Sequence, residues 1–205
     1  ISMDKAPAVA TPGILFGHFL GYSREQIPVV LKLAQTAKGS VCRDLTRESA
    51  ILRKLNDDEL PSVVRMFEFN TNHSPAYLVL EAFGSSMETF LKSNNLSTRK
   101  DIALQLSEAV RSIHLVGLMH GDLKPSNVLV RLNSGGGVKL KLTDFDSARF
   151  IGGGNESLYP HVGPQLKYTM AWVGGPEVLF GSGGVLQAAL SIDLFALGLV
   201  LTVLL

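Results

Sequence analysis

One stretch, His120–Val130 (HGDLKPSNVLV), constrains this chain more than any other. It sets Asp122, Lys124 and Asn127 within six residues, between apolar flanks: Leu118–Met119 before them and Val128, Leu129 and Val130 after. The pattern is a polar loop held on hydrophobic supports. Its chemistry is an acceptor carboxylate, a flexible cation two residues on and a neutral oxygen ligand three residues beyond. Those groups can orient a hydroxyl, neutralise a phosphate and help to hold a hard metal ion. After a glycine-rich turn at Gly135–Gly137 and a short strand comes KLTDFD, which places a second carboxylate, Asp144, at the end of a β-run.

At 205 residues the chain can build one substantial core or two small lobes. The formal net charge of +1 gives no basis for electrostatic binding to nucleic acid or to an anionic membrane, so neither is expected as a partner. Any site for a charged ligand must be local. The single cysteine, Cys42, excludes an internal disulfide and fits a reducing, intracellular and cytoplasmic setting. No basic segment followed by an apolar one marks a signal peptide. The apolar run Leu194–Leu205 is too short to cross a bilayer and reads as a buried core helix cut off by the end of the chain. The five histidines show no metal-site spacing, and His114 reads as a packed histidine.

Residues 1–12 read as a frayed terminus. The glycine-punctuated run GILFGHFLGYS from Gly13 and the β-branched run Ile27–Ala34 predict an antiparallel hairpin. Inside the second strand Lys32 sits among apolar neighbours. On its own it reads as an edge-strand lysine with its head in water. Residues 44–56 predict a helix with Leu45, Ile51, Leu52 and Leu55 on one flank, where Glu48 alone would read as a solvated face residue. Two further strands are expected over Pro61–Phe69 and Ala76–Ala82. Thr98 predicts the start of a long amphipathic helix, with Asp101 completing a capping box, a core stripe of Ile102, Leu106, Ala109, Ile113 and Val116, and a stop at Gly117. The glycine-rich segment after Arg149 reads as a long loop.

His120-x-Asp122-Leu-Lys124-Pro-x-x-Asn127 followed by Asp144-Phe-Asp resembles the catalytic loop and metal-binding motif of eukaryotic-type protein kinases. Gly174–Gly–Pro176–Glu177 resembles the family's Ala-Pro-Glu block, and Asp193-Leu-Phe195-x-x-Gly198 resembles the start of its αF helix, whose aspartate anchors the catalytic loop. The resemblance runs over roughly residues 13 to 205. It implies an α+β, bilobal fold: a small β-rich N-lobe over 1–80, a hinge at 81–84 and a truncated, mainly helical C-lobe over 85–205. It implies ATP and Mg²⁺ as cofactors and a protein as substrate. Asp122 and Lys124 become catalytic and Asn127 and Asp144 metal-holding. Lys32, paired with Glu48, becomes the phosphate anchor, Leu80 the gatekeeper, and Glu81, Phe83 and Leu129 contacts of the nucleotide. Lysine two residues after the aspartate is the family's serine/threonine pattern.

The sequence departs from the family at four places. Gly121 stands where most members carry arginine, so capture of a phosphorylated loop residue such as Ser157, Tyr159 or Thr169 loses its cation. Asp146 replaces a glycine. Gly13, Gly17 and Gly21 lack the Gly-x-Gly-x-x-Gly spacing, and the chain stops within αF, so by itself this fragment is expected to be inactive. A pseudokinase scaffold that binds nucleotide or partners is the alternative. His-Gly-Asp-Leu and Asp-Phe-Asp also resemble the aminoglycoside and choline kinases, against which Lys124–Pro125 and the Gly-Pro-Glu block stand.

Overall fold

The computed structural model describes residues 2–3, 14–20, 26–34, 45–72, 76–93, 96–151 and 190–204. The expectations for Gly13, Gly21, Cys42, Ser157, Tyr159, Thr169 and the Gly174–Glu177 block lie outside the described residues. The chain divides into two compact units, Ile1–Glu59 with Val64–Phe83, and Leu60–Val63 with Gly84–Leu205. The architecture is α+β, as expected.

The first unit is an antiparallel sheet of β1 (Ser2–Met3), β2 (Ile14–Leu20), β3 (Gln26–Leu33), β4 (Met66–Asn70) and β5 (Tyr77–Glu81), in the order β1-β2-β3-β5-β4. The β2–β3 hairpin is the one expected. Strand periodicity sends Val29 and Leu31 to one face, where they meet Val79 and form a cluster edged by Leu15, Ile27, Phe67 and Tyr77. Each such side chain buried contributes about 1.5–3 kcal/mol. Lys32, one residue out of phase, goes to the other face. Helix α1 (Leu45–Asp57) packs on β4 and β5 and buries the expected Leu45, Ile51, Leu52 and Leu55. Beyond it Glu59 turns left-handed at φ 53° and ends the helix.

The strand expected from Pro61 begins only at Met66. Residues 60–63 belong to the second unit, where Val63 bridges Leu142 in parallel and the Leu142 N–H donates to the Ser62 carbonyl at 2.7 Å. Pro61, which has no N–H to give a ladder, sits in the turn before that bridge. The Ser62 and Ser112 hydroxyls, 3.0 Å apart, tie this short segment to the long helix of the second unit.

In the second unit a sheet of β6 (Ser85–Ser86), β8 (Val128–Leu132) and β9 (Val138–Leu142) runs in the order β6-β8-β9. A two-stranded ribbon joins β7 (Leu118–Met119) to β10 (Arg149–Phe150). Helix α2 is Met87–Ser93 and helix α3 is Arg99–Leu115. Val128, Val130, Val138, Leu140 and Leu142 are buried, while Arg131 and Lys139 on the alternate face are exposed; β9 packs on α3. The stripe of Ile102, Leu106, Ala109 and Ile113 is core, joined by Val110. Val116, expected in that stripe, caps the helix half-buried. The capping box does not form: Thr98 takes a helical φ of −92° and ψ of −7° at the end of a 3-10 turn, Leu96–Thr98, and makes no side-chain cap. The turn already continues the coil upstream, so Thr98 never adopts the extended backbone that a capping hydroxyl needs. Gly117, at φ 74°, ends α3 with its N–H on the His114 carbonyl.

Helix α4 (Leu190–Thr202) buries Ile192, Asp193, Ala196 and Val200, and packs on α3 and β7. Leu194, expected in the core, is 56% exposed. A helix apolar all round has one stripe to offer each neighbour, and α3 with β7 covers only the stripe that carries Asp193.

Candidate active site

The loop between β7 and β8 folds around a carboxylate from another part of the chain. The Asp193 side chain, wholly buried on α4, accepts the His120 N–H at 2.7 Å and the His114 Nε2–H at 2.9 Å on Oδ2, and the Gly121 N–H at 2.9 Å on Oδ1. A buried carboxylate needs such donors, and buried main-chain N–H groups need such acceptors, so each meets the other's cost. The sequence alone presents His114 as a packed histidine; its bond to Asp193, 79 residues along the chain, leaves no local signal.

Gly121 holds φ at 75°. A Cβ there would lie 2.8 Å from the Ser147 carbonyl oxygen, so the loop approaches the turn after Asp144 as closely as only glycine allows. His120 fastens the same two segments. Its Nδ1 accepts the Asp122 N–H at 3.3 Å, so Nε2 carries the ring hydrogen and donates it to the Thr143 carbonyl at 3.0 Å. Its ring lies 4.7 Å from that of the buried Phe145.

Asp122 therefore leaves the loop with a fixed backbone, and its carboxylate is held in turn. Lys124 Nζ lies 2.6 Å from its Oδ2, and Asn127 Nδ2 donates to its carbonyl at 2.8 Å and to Oδ2 at 3.0 Å. With both amide hydrogens of Asn127 committed, its Oδ1 is the atom left for a ligand. A 3-10 turn, Pro125–Asn127, sets this geometry, with Pro125 fixing its first residue. Asp144, half-buried beyond the end of β9, has left-handed backbone at φ 66° and ψ 64°. Asp146 accepts the Ser147 hydroxyl at 3.2 Å, and its carbonyl accepts from Arg149. The second unit thus brings Asp122, Lys124 and Asn127 together. Leu129 stands apart on β8, half-buried and opposite Lys141. Among the described residues no group of three or more His, Cys, Asp or Glu side chains is placed to hold a metal ion. An amide oxygen and a carboxylate, as Asn127 and Asp144 carry, are hard oxygen ligands of the type that Mg²⁺ takes together with phosphate and water.

In the first unit Lys32 Nζ lies 2.9 Å from Glu48 Oε1 and 2.8 Å from Oε2, with both side chains almost wholly buried. Neither reaches into water, as each reads when taken alone. Glu81 is fixed to the start of β4: its carboxylate accepts the Arg65 N–H at 2.7 Å and its own N–H donates to the Arg65 carbonyl at 2.9 Å. No main-chain donor remains at Glu81 for a ligand. Leu80 and Phe83 are buried at 5% exposure each.

The protein kinase domain family matches the chain over residues 20–205. The chain belongs to that family. As a kinase domain it is 27% identical to cyclin-dependent kinase 7 of Caenorhabditis elegans over 83% of this chain and 48% of that protein. It is 29% identical to a probable CTD kinase subunit alpha homolog of Encephalitozoon cuniculi over 91% of this chain and 53% of that protein. It is 32% identical to a serine/threonine-protein kinase of Drosophila melanogaster over 77% of this chain and 20% of that protein. The kinase domain thus spans about half the length of the first two relatives and a fifth of the third. Protein kinases use ATP and Mg²⁺, and the serine/threonine kinases among these relatives favour that reading over the small-molecule phosphotransferases. Among the described residues no helix is long and apolar enough to cross a membrane.

Proposed function

We propose that the chain is the catalytic domain of an ATP-dependent serine/threonine protein kinase, acting inside the cell. The hydroxyl oxygen of a substrate serine or threonine attacks the γ-phosphorus, a new O–P bond forms, the bond from γ-phosphorus to the β,γ-bridging oxygen breaks, and ADP leaves. Asp122 orients the attacking hydroxyl and takes its proton. Lys124 lies against the same carboxylate and neutralises charge on the transferring group. Asn127 Oδ1 and Asp144 would hold Mg²⁺, which when bound screens the phosphate charge. Lys32, braced by Glu48, holds the α- and β-phosphates, while Phe83 and Leu129 border the nucleotide beside the Glu81 main chain. Positioning of this kind, more than covalent chemistry, is what phosphoryl transfer asks of a protein.

The observation that carries this reading is the closed set of bonds around Asp122, in which Lys124 and Asn127 both grip one carboxylate oxygen. Asp122→Asn keeps the shape and removes the acceptor of the proton. In the full-length protein it should leave ATP binding intact and lower phosphotransfer to a serine peptide by roughly 10²–10⁴-fold. Wild-type turnover in that variant would remove Asp122 from the reaction. Asp144→Ala should abolish the Mg²⁺ dependence of nucleotide binding, measured by titration with and without the metal.

A further inference from the structure

Helix α3 gives one face to the core and the other to water. From Asp101 to its end the exposed positions are Asp101, Leu104, Glu108, Arg111 and Leu115, at intervals of three, four, three and four residues. That is the spacing of a coiled-coil seam. Leu104 and Leu115 are 61% and 70% exposed, more than any other large hydrophobic side chain among the described residues. Between them Arg111 donates twice to the Glu108 carboxylate, at 2.9 Å each, and both side chains stand well into water. A lone exposed leucine needs no explanation, and an exposed ion pair adds little stability to the monomer. The order of these four residues does need one. Read from either end it is leucine, charge, charge, leucine, about a centre between Ala109 and Val110.

We propose that this face of α3 is the docking site for a second copy of the chain, paired antiparallel about a two-fold axis. In such a pair every contact between two different positions is made twice, once in each direction. Centred between Ala109 and Val110, Leu104 meets Leu115 of the second copy and Glu108 meets Arg111 of the second copy. Four alternating charges then sit at the centre, with a leucine contact on each side. Parallel pairing would set Glu108 on Glu108 and Arg111 on Arg111, so the charges select the antiparallel register. From Leu104 to Leu115 the seam runs about 16 Å. One helix from each copy makes a small interface, so the dimer is weak and forms as concentration rises.

The test is sedimentation velocity of the full-length protein over about 10 to 500 micromolar. The wild-type sedimentation coefficient should rise with concentration. Arg111→Glu and Glu108→Arg each bring like charges face to face and should weaken association by about tenfold or more. An equimolar mixture of the two variants should associate again. Neither chain in that mixture keeps its internal ion pair, so recovery there comes from contact between copies. Leu104→Ser should weaken association without rescue by either charge variant. A wild-type protein that stays monomeric throughout the range overturns the dimer and leaves the seam to a partner of other chemistry. A dimer indifferent to both charge variants lies on another surface and overturns the proposal too, as does a mixture no more associated than its components, which would mark a structural defect in each variant.

Discussion

Gly121 separates what a residue's identity says from what its backbone says. As a letter in the sequence it announces a missing arginine; in the fold it carries φ 75° and leaves no room for a Cβ beside the Ser147 carbonyl. Gly121→Ala should therefore cost about 1–3 kcal/mol, read as a lower urea midpoint at unchanged slope. An unchanged midpoint would mean that the Ser147 carbonyl moves aside freely. The positive φ was not legible, because the contact that demands it lies in a separate turn further down the chain. Tyr77 supplies a pH prediction. Partial burial, with the Glu68 carboxylate adding to it, raises its phenol above the usual value. The folded chain therefore keeps that proton where the unfolded chain loses it, so stability is retained below the ordinary tyrosine range and falls as pH rises through it. Tyr77→Phe should flatten this part of the alkaline unfolding profile, followed by circular dichroism.

Among the elements, the Lys32–Glu48 pair joins β3 to α1 and answers to both. Glu48→Ala takes a buried carboxylate away from the Lys32 ammonium and should destabilise the first unit by about 3–5 kcal/mol. A Lys32→Met, Glu48→Leu double variant restores an apolar fit, so it should recover most of that loss in thermal unfolding and still fail to bind tripolyphosphate. Recovery of both properties would show that the pair serves packing alone. The β2–β3 hairpin, α1 and the core stripe of α3 were legible because each is written in a local period of two or 3.6. The start of β4 and the cap of α3 were not. Residues 60–63 answer to β9, far along the chain, and Thr98 answers to the 3-10 turn before it. In the candidate site the residue types of Asp122, Lys124 and Asn127 were plain, whereas the grip of Asn127 on Asp122 and of His114 on Asp193 exists only through tertiary contact.

For the whole molecule, each unit has its own buried apolar residues; Lys32, read as the phosphate anchor, belongs to the first, and Asn127 and Asp144, read as metal-holding, belong to the second. Binding of Mg²⁺–ATP to the native state alone should stabilise the full-length protein by about 2.7 kcal/mol at a hundredfold excess over Kd. The expected result is a melting temperature that climbs with nucleotide only when Mg²⁺ is present; a flat response in both conditions would leave the fold without the ligand. Leu60–Val63 leave the strand expected of them and group with the second unit, a placement no local period records.

The distance along the chain between Asp193 and the loop it holds has a consequence for biosynthesis. His120 and Gly121 emerge from the ribosome 73 and 72 residues before the carboxylate that takes their N–H groups. At roughly 5–20 residues per second, the nascent loop waits several seconds for its acceptor. During that interval the segment bearing Asp122 can be complete in sequence and still lack its native anchor. A translational pause placed between Gly121 and Asp193 would lengthen this exposed state without altering the finished protein.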